Sequence, residues 1–137
     1  MKYNLNVVGV MGAAVLLCGL SAGQAMAAPS APVECETLLN MKIESNAQST
    51  LYTLCMHTQE TWFKNGTDRE NLKGKVVVAG TKVEQGKYSD ASMKLSDYET
   101  TLRALMDAPK KKIDVDRAQN VLLPDLDAAQ IAVANLQ

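Results

Sequence analysis

The sequence predicts an all-α fold: a small helical bundle with an N-terminal αα-hairpin braced by one disulfide. Three observations carry this reading. Apolar residues after Glu34 recur at steps of three and four, the period of a helix with one buried face. Turn and stop residues fall between those runs, at Asn65-Gly66, Gly86 and Pro109. Finally, Cys35 and Cys55 cannot be joined along one straight helix, because twenty residues at about 1.5 Å each would hold them about 30 Å apart. A disulfide needs about 5.5 Å between Cα atoms, so the chain must reverse between them.

The N-terminal segment has a different character. Residues 1–27 contain Lys2 as their one charge, an apolar run over Val7–Leu20, and Ala25-Met26-Ala27 at the end. This is the pattern of a secretory signal peptide cleaved after Ala27. The apolar run is shorter than the about 20 residues of a bilayer span, and Leu17 before Cys18 does not suit a lipidation signal. Residues 28–33, Ala-Pro-Ser-Ala-Pro-Val, read as a flexible leader, and 34–137 as a single helical domain. Export removes Cys18 and leaves an even pair for an oxidising compartment, which favours the Cys35–Cys55 bond over a thiol or metal role. The expected location is the periplasm or the secreted fraction of a bacterium, with no transmembrane segment in the mature chain.

Each element follows from its own residues. Cys35, Leu38, Leu39 and Ile43 share one helical face, and Leu51, Cys55, Thr58 and Trp62 share another. The polar stretch 44–50 between them is the expected turn of the hairpin. The next helix carries Leu72, Val76, Ala79, Gly80 and Val83, capped by Thr67 or Asp68 and stopped at Gly86. Ala91, Leu95, Tyr98, Leu102 and Leu105 define a third helix, with Ser89 as its N-cap and Pro109 beyond its end. Asp114 is placed to cap the last helix, whose stripe is Ala118, Leu122, Leu126, Ala129, Val133 and Leu136; Pro124 should kink or split it near Leu123.

The segment Gln85-Gly86-Lys87-Tyr88-Ser89-Asp90-Ala91-Ser92-Met93-Lys94-Leu95 resembles the helical-hairpin corner of tetratricopeptide-type repeats, where Gly permits the turn, an aromatic plugs the corner and Ala lets helices approach. Extended through Leu102, Ile113, Ala118, Leu122 and Leu126, it resembles the FIMAH-type helical domains of secreted bacterial proteins. The resemblance covers about residues 70–136 and rests on packing positions. It implies an accessory module beside larger extracellular enzymes, with no catalytic residues of its own. No second copy follows at the repeat period of a solenoid.

Charge and motif content narrow the function. The chain has 14 basic and 15 acidic residues, and without Lys2 the balance is 13 against 15, a net charge of −2. That excludes binding to nucleic acid through a general basic excess. Residues 28–137 keep 46 apolar residues of 110, enough for a core. His57 is the sole histidine, and its setting, Cys55-Met56-His57-Thr58, lacks a nucleophile turn. Consecutive helical residues also cannot converge on one ion, so neither catalytic residues, a metal nor a cofactor is expected. Asp114, Asp116, Asp125 and Asp127 read as caps and solvated positions. Trp62 and Phe63 read first as a plug closing the end of the hairpin and otherwise, with Lys110, Lys111 and Lys112, as a candidate binding surface. The expected function is a non-catalytic exported interaction protein of inhibitor or immunity type, whose partner is another envelope or secreted protein. The alternatives are an accessory module of an envelope or extracellular enzyme system that associates with polysaccharide or cell wall, and a His57-dependent hydrolase.

Overall fold

The computed structural model describes residues 32–137; the signal-peptide reading of 1–27 and the first leader residues lie outside them. Within this span every regular element is helical. A 3-10 helix, Cys35–Asn40, leads into α1, Ser45–Glu60. Next come α2, Gly66–Glu84, and α3, Tyr88–Met106. The C-terminal helix is composite: α4, Val115–Arg117, a π-helical turn over Ala118–Leu122, then α5, Leu123–Ala134. α2 packs along α3, and α1 packs against both α2 and α5. No helix of the described residues is long and apolar enough to cross a membrane.

The disulfide joins Cys35 to Cys55 with 5.7 Å between their Cα atoms, and both residues are fully buried. The reversal comes earlier than the sequence suggests. Residues 45–50, read as the turn, form the start of α1, and the chain turns over Met41–Glu44. Glu44 explains the shift: its carboxylate accepts from the backbone N–H of Ala47 (2.8 Å) and Asn46 (3.0 Å), capping α1. The first arm is also wound as a 3-10 helix, with three residues per turn. Its inward row is therefore Cys35 and Leu38, while Leu39, expected on the buried face, is 49% exposed. The side-chain amide of Gln48 secures this arm by donating to the carbonyls of Leu38 (2.9 Å) and Met41 (3.1 Å).

The Glu44 cap carries a pH signature. Those two N–H donors hold its carboxyl below the usual carboxylate range, with the Ala47 bond the larger cause. Because the folded pKa lies below the unfolded one, the cap's stabilisation is present above the unfolded pKa and is lost as pH falls through the folded one. Glu44→Gln should lower the melting temperature near neutral pH, and the difference from the parent should close in strong acid. Thermal melts of both proteins across pH check this.

Further along, Gly86 takes a positive φ of 76°. Its N–H reaches the Val83 carbonyl (2.9 Å), and the Lys87 N–H reaches that of Lys82 (2.8 Å), which is a Schellman closure of α2. This tight corner starts α3 at Tyr88, so Ser89, the expected N-cap, lies inside the first turn and Lys87 takes the cap position. Likewise α2 begins at Gly66 behind Asn65, ahead of the expected Thr67 or Asp68 cap. Asp114 does cap the last helix, accepting from the Arg117 N–H at 3.2 Å. Pro124, which has no N–H, is accommodated by the π turn just before it, where the Leu123 N–H bonds the Ala118 carbonyl.

Candidate functional site

α1 ends at Glu60, and Thr61 is extended, with φ −82° and ψ 142°. An extended chain sends alternate side chains to opposite sides. Thr61 and Phe63 accordingly turn inward and Trp62 and Lys64 outward. Trp62 is 50% exposed and Phe63 is 5% exposed. Of the two aromatics expected to plug the hairpin, Phe63 is buried and Trp62 is not. Equally, Phe63 lies beneath the candidate binding surface and not on it. The helical spacing that put Trp62 on the Leu51–Cys55–Thr58 face fails because the helix stops two residues short of it.

This short segment is fixed by a partner strand-like stretch from the far end of the chain. Phe63 and Ile113 form an isolated antiparallel bridge. The Lys64 N–H donates to the Lys112 carbonyl (2.9 Å), and the Asp114 N–H donates to the Trp62 carbonyl (3.1 Å). Both bridged side chains are buried, so the main-chain bonds and a small apolar contact act together. Arg117 adds a clasp, donating from Nε to Thr61 Oγ1 (3.1 Å) and from Nη2 to Glu60 Oε1 (3.4 Å). The Arg69 guanidinium lies 5.5 Å from the Phe63 ring centroid.

On the solvent side, the Lys111 ammonium stands 5.5 Å from the centroid of the Trp62 ring. Lys110, Lys111 and Lys112 are all exposed, and the bridge sets Lys64 beside them. Sequence reasoning missed Lys64, because its place depends on pairing between segments nearly fifty residues apart. The result is one large aromatic held on a hydrogen-bonded frame and rimmed by lysines.

His57 lies outside this edge chemistry. Its Nδ1 sits 2.5 Å from Asp125 Oδ2, joining α1 to α5. The carboxylate is the acceptor, so Nδ1–H donates. Cys55 is committed to the disulfide and cannot share a ligand set with His57. On the adjoining residue, which faces the core, the Thr58 hydroxyl donates to the Leu54 carbonyl (2.7 Å) and accepts from Tyr98 Oη (2.7 Å). Burial pushes the Tyr98 phenol above its ordinary value, which keeps it a donor. Lys73 is another residue that periodicity did not single out: it is 3% exposed, with Nζ 3.3 Å from Glu70 Oε1. The same Glu70 oxygen accepts from the Val33 N–H (2.6 Å) and so ties the start of the described chain to α2. The open cleft of about 640 Å³ lined by residues such as Ile43, Val83, Tyr88 and Leu136 contains neither Trp62 nor His57.

No family model, curated protein or solved structure matches this chain.

Proposed function

We propose that this protein is an exported, non-catalytic interaction module that docks one protein partner through its Trp62 edge, in the manner of a periplasmic inhibitor or immunity-type protein. One observation carries the proposal: the sole tryptophan of the chain is half in water, yet its backbone is pinned by the Phe63–Ile113 bridge. A rigid exposed indole loses little conformational freedom when covered, and tryptophan is enriched among residues that dominate binding energy. The buried Cys35–Cys55 bond supports an oxidising compartment, in line with the signal-peptide pattern of residues 1–27.

Two substitutions test this when melting and binding are measured together. Trp62→Ala should cost about 1–2 kcal/mol of stability, against about 3–5 for a fully buried tryptophan, and should weaken the partner at least about thirtyfold, or about 2 kcal/mol. His57→Ala removes a part-buried side-chain hydrogen bond to Asp125, worth about 1 kcal/mol, and should leave affinity within about tenfold. A His57→Ala protein that folds normally but loses a turnover activity would establish the hydrolase instead. Retention of the parent on cell-wall polysaccharide, with no protein partner, would favour the accessory-module reading.

A further inference from the structure

Resting on that docking reading, we infer that the partner surface seated on Trp62 is acidic: an apolar seat for the indole, ringed by aspartate and glutamate carboxylates of another protein. The whole chain has a net charge of −1, so it holds no general attraction for acidic matter. The charge at this edge is local and is produced by the fold. The bridge puts Lys64 beside Lys112, and Lys110 and Lys111 precede it on the same exposed connection. Among the described residues, none of these four lysines has a carboxylate within ion-pair distance. Two carboxylates of this frame are engaged elsewhere. Glu60 pairs with Arg117, and Asp114 accepts from the Arg117 N–H as the cap of α4. Three lysines consecutive in sequence and a fourth placed across the bridge make this edge locally basic, a field that salt screens over about one Debye length.

An aromatic centre with a charged rim is the common anatomy of a protein docking patch, and rim charges set both the sign of the partner and its rate of encounter. The same chemistry could in principle meet an anionic lipid surface. The apolar contribution decides against that source. Phe63 and Ile113 turn inward, half of Trp62 is already covered, and Lys111 stands over its ring. A single half-covered side chain supplies little to insert, whereas stable membrane attachment takes a larger apolar face or a second signal.

Trp62 is the one tryptophan, so its fluorescence reports this edge directly. At low salt, the ratio of iodide to caesium quenching should exceed that of free N-acetyltryptophanamide several-fold. Lys111→Gln with Lys112→Gln should shrink that ratio, and reversal of Lys64, Lys110, Lys111 and Lys112 to Glu should invert it. The paired Gln variant is the control should the reversed protein fail to fold. An acidic octapeptide of alternating Glu and Leu should shift the emission, and its binding should weaken about tenfold on going from low to physiological salt. The matching Lys and Leu peptide should do nothing. A quenching ratio equal to that of the free amide, or equal binding of the two peptides, would overturn the inference. A response to phosphatidylglycerol vesicles without one to the acidic peptide would also overturn it and assign the edge to lipid. The two readings fail separately. Loss of partner affinity in Trp62→Ala, together with unchanged affinity in the charge-reversed protein, would keep the docking site and remove its acidic partner.

Discussion

Replacing Cys35 and Cys55 together by alanine is expected to lower stability by about 3 kcal/mol, the chain-entropy value for a closed loop of this size. The loop spans a sequence separation of 20, and both sulfurs lie in the core. At about 4–8 °C per kcal/mol for a domain of this size, the melting temperature should fall by about 12–24 °C. The loss should be felt first in the 3-10 arm. Apart from the disulfide, Cys35–Asn40 is held by Leu38, by the Gln48 amide, and by the Lys42 N–H on Glu84 Oε2 (2.8 Å) just beyond it. Hydrogen exchange should therefore speed up at Met41, whose N–H bonds the Leu38 carbonyl, before it does so in α3. Two alkylatable thiols in untreated protein, or a shift below about 3 °C, would contradict this.

Leu38→Ala should cost about 3–5 kcal/mol, because it empties a fully buried site that cannot collapse freely. The adjoining residue makes the prediction sharper. A Cβ built on Gly80 of α2 would lie 2.5 Å from Leu38 Cδ2 and 3.0 Å from Met41 Sδ. Glycine at 80 thus lets the 3-10 arm lie close against α2. Gly80→Ala alone sets a helix-propensity gain of about 1 kcal/mol against that overlap, and the two should nearly cancel. In the Leu38→Ala background the overlap with Cδ2 is gone and the propensity gain remains. The double variant should recover up to about 1 kcal/mol relative to Leu38→Ala alone, less what the 3.0 Å approach to Met41 Sδ still costs, a coupling that denaturant titrations of the four proteins would measure. Additive costs would show that the two residues do not meet.

Much of this architecture is legible in local chemistry. The reversal between Cys35 and Cys55 follows from helix length, the corner at Gly86 from its freedom at positive φ, the cap at Asp114 from its place before an apolar stripe, and the break near Pro124 from a missing donor. Each of these depends on neighbours in sequence. The failures share the opposite property. The 3-10 winding of Cys35–Asn40 and the start of α1 at Ser45 are fixed by the Glu44 carboxylate and by packing on Gly80, which six residues of pattern do not reveal. Trp62 and Phe63 part company because α1 ends before them, and that ending is enforced by Ile113 and Arg117 some fifty residues away. Lys64 joins the lysine rim, and Asp125 meets His57, for the same long-range reason.

Where a partner touches the protein can be mapped by site-specific photo-crosslinking. A photo-crosslinking residue at Lys110 leaves Trp62 intact and reports on the rim beside it. The same residue at Met93 or Ile131 samples exposed apolar positions outside that rim. One discrete, stoichiometric adduct is expected from position 110, lost in the Trp62→Ala background and absent from positions 93 and 131. An adduct that forms from 93 or 131 but not from 110, or one indifferent to Trp62→Ala, would contradict it.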